Sequence, residues 1–177
     1  MIQRVHDVAE SLVTRLDSPE AFQGSAIGAR QLADRLNEPV FLPIEGYTDD
    51  RGWSYMNQLQ GILSPQGQIN FSTQYPGVVK AWHRHKLQTD YWICLNGNLK
   101  AGIYREEDQR AWSVVFGEKR PGVLIIPPSL WHGAAVVGPE SAGLLYYVTH
   151  AYNAEQPDEE RRSADSVLGF PWGIQHR

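Results

Sequence analysis

GVVKAWHRHKLQTDYWICLNGNLKAGIYR, residues 77–105, holds three apolar-rich runs, each of strand length and too short for an ordinary helix. They cover residues 78–85, 90–96 and 98–105. A polar turn, Lys86–Thr89, separates the first two. Asn96-Gly97 separates the last two and is the strongest hairpin signal in the chain. The same stretch carries polar chemistry. His83 and His85 stand two apart on a strand, so both project from one face. Asp90 opens the next strand, which returns beside the first and brings a carboxylate within reach of both imidazoles.

Outward from this stretch the pattern continues. Strands are predicted near 40–46, 53–60, 67–74, 111–116, 122–127, 132–137 and 142–150. Turns fall at Asp49-Asp50, Ser64–Gly67, Tyr75–Gly77, Glu118–Gly122 and Gly138-Pro139. Short strands with short connections and no helix between them specify an all-β fold, an antiparallel sandwich or barrel. Residues 1–38 differ. Val5, Val8, Leu12, Val13 and Leu16 recur at helical spacing, and Ala29, Leu32, Ala33 and Leu36 do so again after Ser25. The expected organisation is an N-terminal helical extension over 1–38 and a β-barrel domain over 39–177. Residues 153–165 form a polar connection to a last apolar segment, Val167–Trp172.

Composition excludes several classes. The net charge is −4 and no run of lysine or arginine occurs, which argues against nucleic acid and against a polybasic membrane contact. One cysteine, Cys94, rules out an intramolecular disulfide framework and fits a reducing compartment. No apolar run approaches membrane length, and the first residues hold no apolar signal core. A soluble, cytoplasmic protein is expected. Apolar-striped N-terminal helices and six tryptophans predict a homodimer. His6 reads as a surface histidine; His150 and His176 have no partner that the sequence names.

His132 lies in a further strand-like stretch, after Val123–Ile126 and Pro127-Pro128. With His83, His85 and Asp90 it makes three imidazoles and one carboxylate, a donor set suited to a divalent metal such as Zn, Fe, Mn or Ni. The bland alternative is a polar pocket in which His85 and Asp90 simply pair.

The spacing resembles the first motif of the cupin superfamily: Gly77, five residues, His83-Arg84-His85, four residues, Asp90, six residues, Gly97, with Asp in place of the usual Glu. A weaker second motif resembles Gly122, Pro127, Ser129 and His132. The resemblance implies a cupin-type antiparallel jelly-roll barrel. A second resemblance runs from residue 47 to 172 and is to the dTDP-4-dehydrorhamnose 3,5-epimerase family, a metal-free branch acting on nucleotide sugars. It is carried by Asp49-Asp50-Arg51-Gly52, Gln68-Ile69-Asn70-Phe71-Ser72, Lys80-Ala81-Trp82-His83, Ile126-Pro127 to His132-Gly133, Leu145-Tyr146-Tyr147 to Tyr152, and Asp165 with Leu168–Trp172. It implies His83 as a base oriented by Asp165, Tyr146 as the acid on the opposite face, and no cofactor. It further implies Arg51, Gln68, Asn70, Lys80, His132 and Tyr152 along a nucleotide sugar. The chemistry is sound, because a carbon acid beside a carbonyl needs a base near neutrality. The family's lysine falls near Asp90, whose carboxylate would oppose an enolate and would suit a metal.

Three readings of one pocket therefore stand: an epimerase or isomerase of a nucleotide-linked 4-keto-6-deoxy sugar, a metal-dependent cupin oxygenase or isomerase using His83, His85, Asp90 and His132, and a small-ligand-binding module without catalysis.

Overall fold

A computed structural model describes residues 11–174. His6, His176, Val5 and Val8 lie outside them. In chain order the elements are β1 (Ser11–Leu12), β2 (Arg15–Asp17), β3 (Glu20–Ala21), α1 (Ala26–Leu36), β4 (Val40–Pro43), β5 (Tyr47–Asp49), β6 (Gly52–Ser54), β7 (Gln68–Gln74) and β8 (Val79–Arg84). There follow β9 (Asp90–Asn96), β10 (Asn98–Arg105), β11 (Arg110–Gly117), β12 (Gly122–Ile126), β13 (Trp131–Val136), β14 (Ala142–Val148), β15 (Glu160–Arg161) and β16 (Val167–Leu168).

Two six-stranded sheets hold most of these. One has the order β15-β8-β13-β10-β11-β2 and the other β3-β4-β12-β9-β14-β7. The pairings among the long strands are antiparallel, and the three short N-terminal strands add on in parallel. This is the expected jelly-roll architecture. The sheets face each other over Leu99, Ile103, Trp112, Phe116 and Leu124, each fully buried. Period-two alternation sorts the side chains as it should. Trp92 and Cys94 of β9 enter this core, while Tyr91 and Ile93 point the other way, under α1. The outer face of the first sheet is closed by Trp82, Tyr104, Trp131 and Phe170.

Three expectations change. The predicted first helix is absent from residues 11–21, which form β1, β2 and β3. Its apolar stripe is not buried: Leu12 and Leu16 are exposed. These residues instead pair with edges that β16, β11 and β4 leave open. The second helix forms as α1, with the Ser25 hydroxyl accepting from the Gly28 N–H. The strand expected over 53–60 stops at Ser54 and gives way to turns. Asn96-Gly97 is no hairpin. β9 and β10 belong to different sheets, so the pair is a corner. Gly97 sits at φ +64, and a Cβ there would lie 2.6 Å from the Ser141 carbonyl oxygen. The ladder of β10 runs to β11 instead, from Asn98↔Gly117 to Arg105↔Arg110. Among the described residues no helix is long and apolar enough to cross a membrane.

Candidate active site

One end of the space between the sheets is open, forming a cavity of about 1070 Å³. Such a volume suits a large small-molecule ligand. β8 supplies one wall with Lys80 and His83; β7, β9 and β14 supply the other with Gln68, Asn70, Asp90, Trp92 and Tyr146. The connection after β14 covers the mouth with Tyr152, Asp158 and Arg161.

The histidines converge at this end because β8 and β13 are paired with His83 opposite His132. Their ring centroids are 4.2 Å apart, and His85 lies 5.7 Å from His83 and 5.6 Å from His132. Asp90 and His132 are buried, at 3% and 2% exposure. His83, His85, Asp90 and His132 each bring a donor atom to within 4.8 Å of all the others.

Hydrogen bonds define the rings. His85 Nδ1 lies 2.7 Å from the Asp158 carbonyl oxygen, and His132 Nδ1 lies 2.8 Å from that of Leu130. A carbonyl only accepts, so each Nδ1 carries a proton. His132 Nε2 has no hydrogen-bond partner and stands 3.5 Å from Asp90 Oδ2, an ion-pair distance. The Asp90 carboxylate accepts from Gln88 Nε2 at 2.7 Å and from Trp92 Nε1 at 3.1 Å.

Burial, reinforced by the neighbouring His132 and His85, holds the His83 imidazole well below the ordinary histidine range, although Asp90 pulls it upward. Burial would raise the Asp90 carboxyl, but His132, then His85 and His83, outweigh it and bring it down to about 2. Tyr146 is pushed up by burial, then by the charges of Asp90 and Glu159. Near neutrality His83 is therefore an uncharged base, Asp90 a carboxylate and Tyr146 a phenol.

The sequence-predicted residues divide. His83, His85, Asp90, Tyr146, Gln68, Asn70, Lys80 and Tyr152 line the cavity. His132 is part of the cluster but does not line the cavity wall. Gln68 Nε2 donates to Asn70 Oδ1 at 2.6 Å, so the two amides present one polar strip. Arg51 is not brought in. It caps the β5–β6 turn, its side chain is 82% exposed, and it pairs with Asp49. Asp165 is exposed and takes a hydrogen bond from Ser163; it does not line the cavity or orient His83. Both sit in turns, where a local partner satisfies the charge. Gln88, Asp158, Glu159 and Arg161 were not foreseen. Their polar connections carried no periodic signal, though Asp158 directly after Pro157 marks a turn.

No family model matches the chain. The spore coat polysaccharide biosynthesis protein SpsL of Bacillus subtilis is 34% identical over 139 residues, covering 74% of this chain and 92% of SpsL. Agl13 of Haloferax volcanii, a probable low-salt glycan biosynthesis epimerase, is 40% identical over 97 residues, 51% of this chain and 62% of Agl13. A dTDP sugar isomerase from Desulfovibrio desulfuricans G20 superposes with a TM-score of 0.65 at 25% identity, over 76% of this chain and 90% of that one. RmlC from Legionella pneumophila, solved with dTDP-4-keto-L-rhamnose, shares the fold with a TM-score of 0.62 at 21% identity, over 78% and 81% of the two chains.

Proposed function

Because this chain belongs to the family of dTDP-4-dehydrorhamnose 3,5-epimerases and related cupin-type sugar epimerases, we propose that it inverts a carbon beside the ketone of a nucleotide-linked 4-keto-6-deoxy sugar, in deoxysugar or polysaccharide biosynthesis. One observation carries this reading. A half-buried imidazole held neutral, His83, and a phenol held protonated, Tyr146, stand on different sheets across one cavity. Inversion through an enolate needs this pair: a base on one face of the carbon and an acid on the other. His83 takes the proton alpha to the ketone, and the electron pair moves onto the carbonyl oxygen. Tyr146 returns a proton to the opposite face, and solvent restores both groups. Asp90 opposes the enolate less than its charge suggests, because Gln88 and Trp92 each donate a hydrogen bond to its carboxylate. Lys80, Arg161 and Arg162 line the cavity as cations suited to a diphosphate, and the Gln68–Asn70 strip is suited to sugar hydroxyls.

The test is solvent exchange. A dTDP-4-keto-6-deoxy sugar incubated with the protein in D₂O should take up deuterium next to the ketone. His83→Asn should abolish uptake, and Tyr146→Phe should allow exchange while suppressing inversion. Tight binding of the nucleotide sugar without any exchange would sink the enzyme reading and leave a binding module.

A second reading rests on the same four residues. Their donor atoms lie within 4.8 Å of one another, two imidazoles have Nδ1 tied to carbonyls with Nε2 left as a lone pair, and His132 Nε2 is a buried orphan facing a carboxylate. A divalent ion such as Zn, Fe, Mn or Ni fits that set, with the carbonyls of Asp158 and Leu130 as outer support. Held by His83, His85, Asp90 and His132, it would supply Lewis acidity. It would also occupy His83, so this reading and the base role of that residue exclude each other. The sugar-epimerase relatives favour the base. Elemental analysis separates the two: one ion per chain, lost in both His85→Ala and Asp90→Asn, would establish the metal.

We also propose a homodimer. β7 is a sheet edge whose outward residues Ile69 and Phe71 are each 57% exposed, beside exposed Tyr75. Open apolar edges of this kind are usually covered. Light scattering should give twice the chain mass, and Phe71→Lys should return it to one.

A further inference from the structure

The segment after β14 does more than cover the cavity. It returns along the open edge of β8, where β15 pairs Glu160 with Arg84 and Arg161 with His83. Arg162 and Trp82 exchange both main-chain hydrogen bonds at 2.9 Å. The Arg84 guanidinium, which packs on the Trp131 ring, pairs with Glu160 at 2.7 Å. Just ahead of this anchored stretch stands Asp158, half-buried at the cavity.

The hydrogen bonds of Asp158 go to the residues between β8 and β9. Its carboxylate accepts from the N–H groups of Lys86 and Leu87 at 2.9 Å and of Gln88 at 3.3 Å. Its carbonyl accepts from His85 Nδ1 at 2.7 Å. Gln88, held by its N–H, turns its side-chain amide onto Asp90 Oδ1 at 2.7 Å. One residue thus governs two members of the cluster. It fixes the tautomer and direction of His85 directly, and it orients Asp90 through Gln88. Three convergent N–H donors prefer a carboxylate, whose oxygens only accept; an amide would point two N–H hydrogens at them.

We infer that Asp158 is a positioning residue for the active site, clamping the Lys86–Gln88 turn with its carboxylate and setting the His85 ring with its carbonyl. It touches no reacting atom and acts through His85 and Asp90. The kinetic half of its test rests on the proton-transfer reading above; the spectroscopic half does not.

In ¹⁵N-labelled protein, the imidazole resonances of His85, assigned by their loss in His85→Ala, should report the Nδ1–H tautomer. Asp158→Ala keeps the main-chain carbonyl but releases the Lys86–Gln88 turn next to His85, so ring and carbonyl should part and the tautomer should give way to Nε2–H or a mixture, while the far-UV spectrum is retained. In the deuterium-exchange assay Asp158→Ala should lower kcat by about tenfold or more with KM within about twofold, as misplaced groups do. Asp158→Asn should fall between. Added to His85→Ala, Asp158→Ala should cost less than it does alone, because the two share one path. An unchanged His85 tautomer in Asp158→Ala overturns the inference whether or not the wild-type chain exchanges deuterium. So does a wild-type kcat in that variant, or a loss that simply adds to that of His85→Ala. Absence of exchange in the wild-type chain would instead strike at the proposed function.

Discussion

His83 and Tyr146 divide the chemistry through opposite shifts with a shared origin. Burial disfavours charge on both, lowering the imidazole and raising the phenol. The working window is widened on each side. Turnover should stay level as pH falls through 6.5, the ordinary histidine value, and fail only below it. On the alkaline side it should hold past 10, the ordinary tyrosine value. A kcat/KM profile bending at 6.5 would contradict the assignment of His83 as base. Asp90 is tested by removing its charge. Asp90→Asn keeps the shape but points an N–H₂ group at Gln88 or Trp92, both donors. A buried donor facing a donor costs about 1–3 kcal/mol, and the melting temperature should fall accordingly.

At the scale of elements, two connections set the site. The corner at Gly97 sends the chain from one sheet to the other after β9, so Asp90 and Trp92 face β8 across the cavity. Gly97→Val should be strongly destabilising: a side chain meets the Ser141 carbonyl, and φ +64 is costly for a β-branched residue. Chemical denaturation should show a loss larger than that of Gly77→Val, where a Cβ meets nothing within 4 Å and only the backbone strain at φ +80 applies. The second connection is the C-terminal segment. Phe170 packs against Trp82 at 4.9 Å between ring centroids, on the outside of the strand that carries His83. Phe170→Ala should cost about 3–5 kcal/mol. Its effect on kcat should be smaller than that of Asp158→Ala, because it leaves the Lys86–Gln88 turn tied.

For the whole molecule, the two low pKa values make stability fall in acid. Between pH 6.5 and the lower folded value, the unfolded chain binds a proton that folded His83 refuses, so stability drops as pH falls through that window. Asp90 acts further down. Its contribution is complete above its ordinary value of 3.8 and is lost as pH falls towards about 2. Urea midpoints between pH 8 and pH 2 should therefore decline in two stages, and His83→Asn should remove the first. Chain organisation and chemistry meet at this scale. The outer faces of both sheets are closed, one by α1 and one by the Trp82–Phe170 cluster, leaving the open end between the sheets for the ligand.

Local rules sufficed wherever the determining interaction was local. Period-two alternation placed β7 to β14 close to their observed bounds, put Tyr146 and Tyr147 on opposite faces with the resemblance choosing between them, and set His83 beside His85. Ser25 announced the start of α1. The convergence of His83, His85, Asp90 and His132 was legible from motif spacing, because a jelly roll pairs the strands that carry them. What the sequence could not determine depends on residues distant along it. Leu12 and Leu16 matched a helix as well as a strand, and only open sheet edges decided between the two. Asn96-Gly97 marked a turn, but whether its strands pair was settled by which sheet each one joins. Arg51 and Asp165 were placed by resemblance, and neighbours in their own turns claimed them. Asp158 lies 73 residues from His85 along the chain, and no local pattern announces that contact. Alternation and turn chemistry act over a few residues and are written in the sequence. Edge pairing and the second layer of hydrogen bonds around a site exist only once the folded chain has brought their partners together.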